Sequence, residues 1–424
     1  MLVFGIVLGS LALLIGVPIF AVFVLGAGIP LFYDFNVPLS ALSNLCVGAI
    51  NKYVLMAIPL FVLAGHLLTQ GGVARRVINF LMSLFGHLPG GMAVIAVIAS
   101  AFFGACAGSS LAVIVAVGTI LIPIMEEYGY SKAFSAGLIS VAGILGLVIP
   151  PSNALIIYGA ITGTSIAQLF MAGIVPGLIM TVMLSVVAII ICRGRFRVKP
   201  KATRAEITRT FVSAIPSLCV PLVVLGGIYG GIVTPTEAAA IACAAGVILG
   251  LIHRELTWQK FEQSLVKTAT AVGVIFFLIA TAVFLSAMFS YYNIPQNLTT
   301  WMLGTALSPI AFLFMMMLLV LILGTFIEAV PMAYITLPIV FPMAVALNIN
   351  PLFFGVLTTL VGGAGQVTPP VGVGLYTAAA TAGAPPQKVL REAIPFFATW
   401  VIVGLVFIFF PILSTWLPGL MTGK

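Results

Sequence analysis

GLVIPPSNAL, residues 146–155, lies inside a chain that is otherwise nearly continuous hydrocarbon. Its two adjacent prolines remove two backbone donors and end any helix that runs into them. In lipid an unpaired backbone group costs several kcal/mol, so broken backbone at depth persists only where it lines a cavity or holds something. Of 424 residues, 62% are hydrophobic and 6% are charged, against about 25% charged in a soluble domain. That balance excludes a water-soluble globule, and the length allows ten or more passes of ~20 residues each. The apolar runs do not alternate with polar residues as barrel strands do. The fold class expected is an all-α polytopic membrane protein.

The net charge of +8 does not signal nucleic acid. Seven of the 17 basic residues, Arg193, Arg195, Arg197, Lys199, Lys201, Arg204 and Arg209, share one stretch, which the positive-inside bias makes a cytoplasmic loop. Cys46, Cys106, Cys192, Cys219 and Cys243 lack paired spacing and point to neither a disulfide framework nor a metal centre. His66, His87 and His253 stand far apart. Met1 leads straight into an apolar run without a basic leader, so no cleavable signal peptide is expected.

Two apolar runs, 89–125 and 309–347, are too long for one pass. A helix over the first would reach ~55 Å, nearly twice the ~30 Å hydrocarbon core. Each carries a polar marker near its middle: Ala107-Gly108-Ser109-Ser110 in the first, Gly324 to Glu328 in the second. A re-entrant hairpin fits that length. Segments 72–86 and 256–267 mix charge with large apolar residues and read as amphipathic helices in the lipid interface.

The chain also repeats itself. GILGLVIPPSNAL (143–155) matches GGAGQVTPPVGVG (362–374) at an offset of 219, which puts Gly143, Gly146, Val148, Pro150 and Pro151 on Gly362, Gly365, Val367, Pro369 and Pro370. The same offset puts Pro123 on Pro342, Phe134 on Phe353 and Ser109 on Glu328. The unit is a hairpin followed by a proline-broken helix. Counting passes from the basic loop gives the two copies opposite orientations, and inverted repeats with discontinuous helices mark secondary transporters.

A helix ending near Val148 leaves carbonyls without partners, and one restarting at Pro151-Ser152 presents free N–H groups and a positive dipole end. The carbonyls suit a hard cation such as Na⁺, and the restarting N-terminus suits a carboxylate. A first cation site is expected around Ala107, Ser109, Gly146, Ile149 and Pro151. The second is expected around Gly324, Gly365, Thr368 and Val371. Ser109, Ser110, Ser152 and Asn153 are expected to face the substrate as donors. Glu328, an ionisable residue at membrane depth, is a functional candidate that binds substrate, assists the cation or carries a proton. Glu237 in VTPTEAAA reads as part of a capped helix start, with Thr236 as the cap. No GxxxxGK[ST] occurs, so no nucleotide is expected. No His lies at the depth of Ser109, which speaks against a membrane-embedded hydrolase. On these residues a stand-alone cation- or proton-coupled anion transporter, or a channel, stays open.

FFGACAGSSLAVIVAVGTILIP (102–123), GLVIPPSNALIIYGAITGTSIAQLFMAGIVPG (146–177), GGIYGGIVTPTEAAAIA (226–242) and LTTLVGGAGQVTPPVGVGLYTAAATAG (357–383) resemble the large membrane subunit of tripartite ATP-independent periplasmic (TRAP) transporters. The resemblance covers essentially the whole chain. It implies a multi-pass protein of the bacterial inner membrane with an elevator transport domain and a scaffold. It also implies two or more Na⁺ per turnover, a small four-helix membrane subunit, a periplasmic substrate-binding protein, and carboxylate substrates such as sialic acid or C4-dicarboxylates. In family members the position of Glu328 is commonly acidic, often Asp. Some relatives read GMSGSA where this chain has GACAGSS, so at Ala107 only the carbonyl is available as a ligand. The expected parse is 1–88 for scaffold helices and the first arm, then 89–163 for transport repeat 1. Residues 164–308 follow as scaffold helices with the basic loop 193–209 and the second arm. Transport repeat 2 is 309–384, and 385–424 is the C-terminal helix. The chain has no room for four extra spans, so the small subunit is expected as a separate protein.

Overall fold

The computed structural model describes residues 1–305 and 307–422. Among the described residues there is no strand, and 10 helices are long and apolar enough to cross a membrane.

The first hairpin is Gly91–Ala107 followed by Ser110–Glu127, packed against each other. Its tip turns at Gly108, whose φ of 63° lies in the left-handed region that favours glycine. The second hairpin is Pro309–Phe326 followed by Ala329–Ala346, with Ile327 and Glu328 extended at its tip. The first broken helix runs Lys132–Gly143 and Leu145–Val148, breaks, and resumes as Asn153–Thr162. The second runs Pro351–Gly365, breaks, and resumes as Val373–Ala382.

Each broken helix seats on its own hairpin through glycines. A Cβ added at Gly104 would lie 2.9 Å from Gly146 Cα, and one added at Gly365 would lie 2.5 Å from Gly324 Cα. Each tip also accepts a bond from the residue just past the break. Asn153 N–H donates to the Gly108 carbonyl and Gly372 N–H to the Thr325 carbonyl, both at 3.0 Å. Asn153 and Gly372 are themselves related by the offset of 219.

The halves then pack on one another reciprocally. Ser110–Glu127 and Lys132–Gly143 lie against Val373–Ala382, while Ala329–Ala346 and Pro351–Gly365 lie against Asn153–Thr162. Ile144 and Gly363, also offset-related, touch directly: a Cβ on Gly363 would fall 2.1 Å from Ile144 Cγ2. Reciprocal contacts, with equivalent residues meeting each other, are what a two-fold axis produces. Translated copies would pair unlike surfaces.

Ile166–Cys192 and Pro386–Phe409 pack onto these units, the latter fixed by Trp400 Nε1, which donates to the Leu360 carbonyl at 2.8 Å. Elsewhere Ala57–Gln70 packs on Pro235–Ile252 and Trp258–Tyr291, and Arg204–Tyr229 packs on the arm Val73–Phe85. The two groups meet where Ala57–Gln70 and the arm lie on Gly91–Ala107, and where Trp258–Tyr291 lies on Ala329–Ala346.

The N-terminal apolar stretch 2–31, which the sequence leaves open as one tilted span or two short ones, is Leu2–Leu14 followed by a second helical stretch from Ile19, because Gly16 at φ 83° and Pro18 stop the helix. Two local expectations change. The second arm is not a separate helix. Trp258–Tyr291 is one helix of 34 residues, since neither proline nor glycine interrupts its first turns. The cap of Pro235–Ile252 is Thr234, not Thr236: Pro235 takes the first helical position, so the residue before it caps, in a reciprocal box with Glu237.

Candidate functional site

At the first break Pro150 and Pro151 carry no N–H, so the carbonyls of Gly146 and Leu147 lose their donors four residues on. Ser152 repairs one of them. Its hydroxyl donates to the Leu147 carbonyl and accepts from Leu155 N–H at 3.3 Å, capping the resumed helix. The Gly146 carbonyl is left without a helical donor. The Ser109 carbonyl approaches Gly146, 3.0 Å from where its Cβ would stand, and the Pro151 carbonyl approaches Gly108 at 2.9 Å on the same measure. The half-buried Ser109 hydroxyl makes no hydrogen bond among the described residues. Ala107 is buried against Gly65, and the Ile149 side chain packs on Gly177. Tip and break of the first predicted set therefore meet at Ser109 with Gly146 and at Gly108 with Pro151, while the Ile149 side chain turns to Gly177.

The second break is built differently. The Gly365 carbonyl accepts from Thr368 N–H at 3.0 Å, and the Thr368 hydroxyl donates to the Ala364 carbonyl at 2.9 Å. Val371 stands where the first repeat has Ser152, so no hydroxyl caps the restart, and the helix resumes only at Val373. Pro369, Pro370 and Val371 are exposed, whereas Pro150, Pro151 and Ser152 are buried. Gly324, Gly365 and Thr368 thus lie together, and Val371 opens outward.

The two sites are joined by a bond that the sequence did not announce. Ser110 Oγ donates to Gln366 Oε1 at 2.6 Å, and both residues are buried. Gln366 Nε2 and Asn153 Oδ1 are buried without a partner. A buried polar atom left unpaired costs ~1–3 kcal/mol, which makes both candidates to pair with a water, ion or substrate. The signal for Gln366 was present as an amide closing a largely apolar helix, three residues before the paired prolines.

Glu328 is the N-cap of Ala329–Ala346, but its side chain caps nothing. The carboxylate is half-buried, makes no hydrogen bond or ion pair among the described residues, and opens on a cavity of about 570 Å³. Across that cavity stand Ile19, Phe20, Phe277 and Leu278 from the other group of helices. No cluster of three His, Cys, Asp or Glu occurs among the described residues. The donors on offer at the breaks are backbone carbonyls and hydroxyls, a set that fits a hard monovalent cation rather than a transition metal.

Residues 5–413 match the family model described as "Tripartite ATP-independent periplasmic transporter, DctM component". The chain is 37% identical over 371 residues to the C4-dicarboxylate TRAP transporter large permease protein DctM of Pseudomonas aeruginosa, covering 87% of this chain and 85% of that one. It is 34% identical to the sialic acid TRAP transporter large permease protein SiaM of Vibrio cholerae, covering 89% of each. It is 36% identical to the isethionate TRAP transporter permease protein DctMQ of Oleidesulfovibrio alaskensis, matching 97% of this chain but spanning only 65% of that longer protein. In fold it is similar to the YdaH transporter of Alcanivorax borkumensis, with a TM-score of 0.61 at 15% identity over 97% of this chain and 98% of that one. Paired tips and breaks on a two-fold axis, in a chain whose described residues include 10 helices long and apolar enough to cross a membrane, thus meet a match along almost the whole sequence. The chain belongs to the DctM component family of tripartite ATP-independent periplasmic transporters and is a multi-pass membrane permease subunit, not an enzyme.

Proposed function

We propose that this subunit imports a small carboxylate across the bacterial inner membrane, driven by Na⁺, by moving its two hairpin–broken-helix units as an elevator against the remaining helices. The observation that carries this reading is the pair of proline breaks. Each is seated on a hairpin tip through a glycine contact and tied to it by a 3.0 Å hydrogen bond. Na⁺ supplies the driving force. The carbonyls of Ala107, Ser109, Gly146, Ile149 and Pro151 hold one ion; Gly324, Gly365, Thr368 and Val371 hold another. The start of Asn153–Thr162, with Ser109 and Ser110 beside it, attracts the carboxylate through the positive end of the helix dipole. Glu328, unpaired at the cavity, takes a hydroxyl or amine of the substrate. Sialic acid and C4-dicarboxylates are the substrate classes, after the names of the relatives. A separate small four-helix subunit and a periplasmic binding protein complete the system. The longer relative named DctMQ supports such a membrane partner.

The test is uptake into proteoliposomes holding this chain and its small neighbour. Labelled sialic acid or succinate is added with and without the matching binding protein and an inward Na⁺ gradient. Uptake that requires both is the expected result. Uptake indifferent to the binding protein and to every gradient defeats the proposal. Uptake driven by a proton gradient alone replaces Na⁺ with H⁺, carried by the unpaired Glu328.

A further inference from the structure

We infer that the basic stretch after Cys192 is a binding site for the headgroups of anionic phospholipid. Ile166–Cys192 packs on the hairpin–broken-helix units, and Arg204–Tyr229 packs on the arm Val73–Phe85. The segment between them is therefore the tether joining the two groups of helices. Its inner side is fastened to both. Arg197 N–H donates to the Tyr128 carbonyl at 3.2 Å, at the end of the first hairpin. Lys199 N–H donates to the Gly86 carbonyl at 2.9 Å, at the end of the arm. Just before Arg197 the Phe196 ring stacks on Tyr130, centroids 3.8 Å apart and planes 14° from parallel.

With Phe196 held inward, Arg193, Arg195 and Arg197 are presented outward, and all three are exposed with Lys201 and Arg204. None of these five side chains makes an ion pair or hydrogen bond among the described residues. Lys199 is spent on Glu206 at 2.9 Å, and nearby Glu126 is spent on Lys132 at 3.8 Å. Exposed Glu127 stands at the hairpin end as the acidic neighbour without a bond, too few to neutralise five cations. The row is anchored rather than free to recoil, so it is set to receive phosphate, which guanidinium groups bind in bidentate fashion.

Large apolar side chains are exposed within the segment and on the two helices that flank it. Ile190 is 67% exposed before the row, Val198 49% within it, and Val212 58% after it. A soluble anion has no use for these groups; a lipid has both a phosphate for the guanidinium row and acyl chains for the apolar flank. Attraction of basic segments to anionic headgroups acts at about this range and strength. Because the tether joins the two groups of helices, lipid bound there also sets how readily one shifts against the other. This last step rests on the elevator reading; the binding site does not.

The experiment uses the full chain in nanodiscs of mixed phosphatidylglycerol and phosphatidylcholine, with the lipid retained after mild extraction identified by mass spectrometry. The wild type is expected to retain phosphatidylglycerol preferentially. The variant R193Q/R195Q/R197Q is expected to lose roughly fivefold or more of that preference, and R193K/R195K/R197K to keep most of it. Undiminished preference in the glutamine variant, with melting temperature unchanged, overturns the site. Displacement of the lipid by millimolar inorganic phosphate overturns the lipid assignment in favour of a free anion. If reconstituted uptake proves not to be Na⁺-driven, the lipid result stands unaffected, so the two readings fail separately.

Discussion

Ser110 and Gln366 are joined by a 2.6 Å hydrogen bond from hydroxyl to amide oxygen, linking the first hairpin tip to the second break across 256 residues of chain. Neither residue sees solvent. S110A leaves the Gln366 oxygen buried and unpaired, as its Nε2 already is. The expected cost is about 1–3 kcal/mol of stability, read as a lower melting temperature, together with slower uptake. An unchanged melting temperature would show that the bond contributes nothing net.

Replacing Pro150 and Pro151 by alanine returns two N–H donors to the carbonyls of Gly146 and Leu147. The helix is expected to close through the break. Expression should hold while Na⁺-stimulated uptake disappears. A normal Na⁺ titration of the double variant would remove the break from the ion site.

The glycine contacts make a sharper steric test. G104A puts a methyl 2.9 Å from Gly146 Cα, and G365A puts one 2.5 Å from Gly324 Cα. Backbone has to move in both cases, at a cost of about 1–3 kcal/mol each. Because each change lifts a tip off its break, uptake should fall further than the melting temperature alone accounts for. Loss of stability with full uptake would confine both glycines to packing.

E328Q removes the charge while keeping the shape. If the carboxylate holds a substrate hydroxyl or amine, KM should rise by roughly ten- to a hundredfold, the equivalent of a charged hydrogen bond. Unchanged KM and kcat at every pH would return Glu328 to a structural role.

V371S supplies the hydroxyl that the second break lacks. Capping in the manner of Ser152 requires the helix to begin one residue earlier, at Gly372, the counterpart of Asn153, and that extension is expected to stabilise the protein by about 1 kcal/mol. Differential scanning measurements check the gain. No gain would mean that the second break is held open by packing rather than by a missing cap.

Much of this architecture was legible because it is fixed by residues that act on the backbone. Gly108, the paired prolines and Gly146 with Gly365 declare themselves in one dimension. So did the hairpin tips, since a run of apolar residues too long for one pass has to turn. The Ser110–Gln366 bond was not legible, because nothing local in either segment names a partner so far away. The uneven breaks were half legible: Val371 at the position of Ser152 was there to see, but its effect depends on a cap that only the folded first repeat displays. Thr234 was misread as Thr236 because the hydroxyl was placed inside the helix, when a proline at its first position reserves the cap for the residue before it.

The unequal breaks on a shared two-fold carry one more consequence. Here one copy of the unit is tightly wound and covered at its prolines, and the other is unwound and uncovered. A chain made of two copies of one design holds the recipe for its own alternative: let each copy adopt the shape of the other. Reciprocal contacts such as Ile144 on Gly363 survive that exchange, because each residue is the other's counterpart. Duplication followed by divergence, Ser152 against Val371 included, is enough to leave two copies of one unit with unlike breaks, one capped and covered and the other uncapped and open.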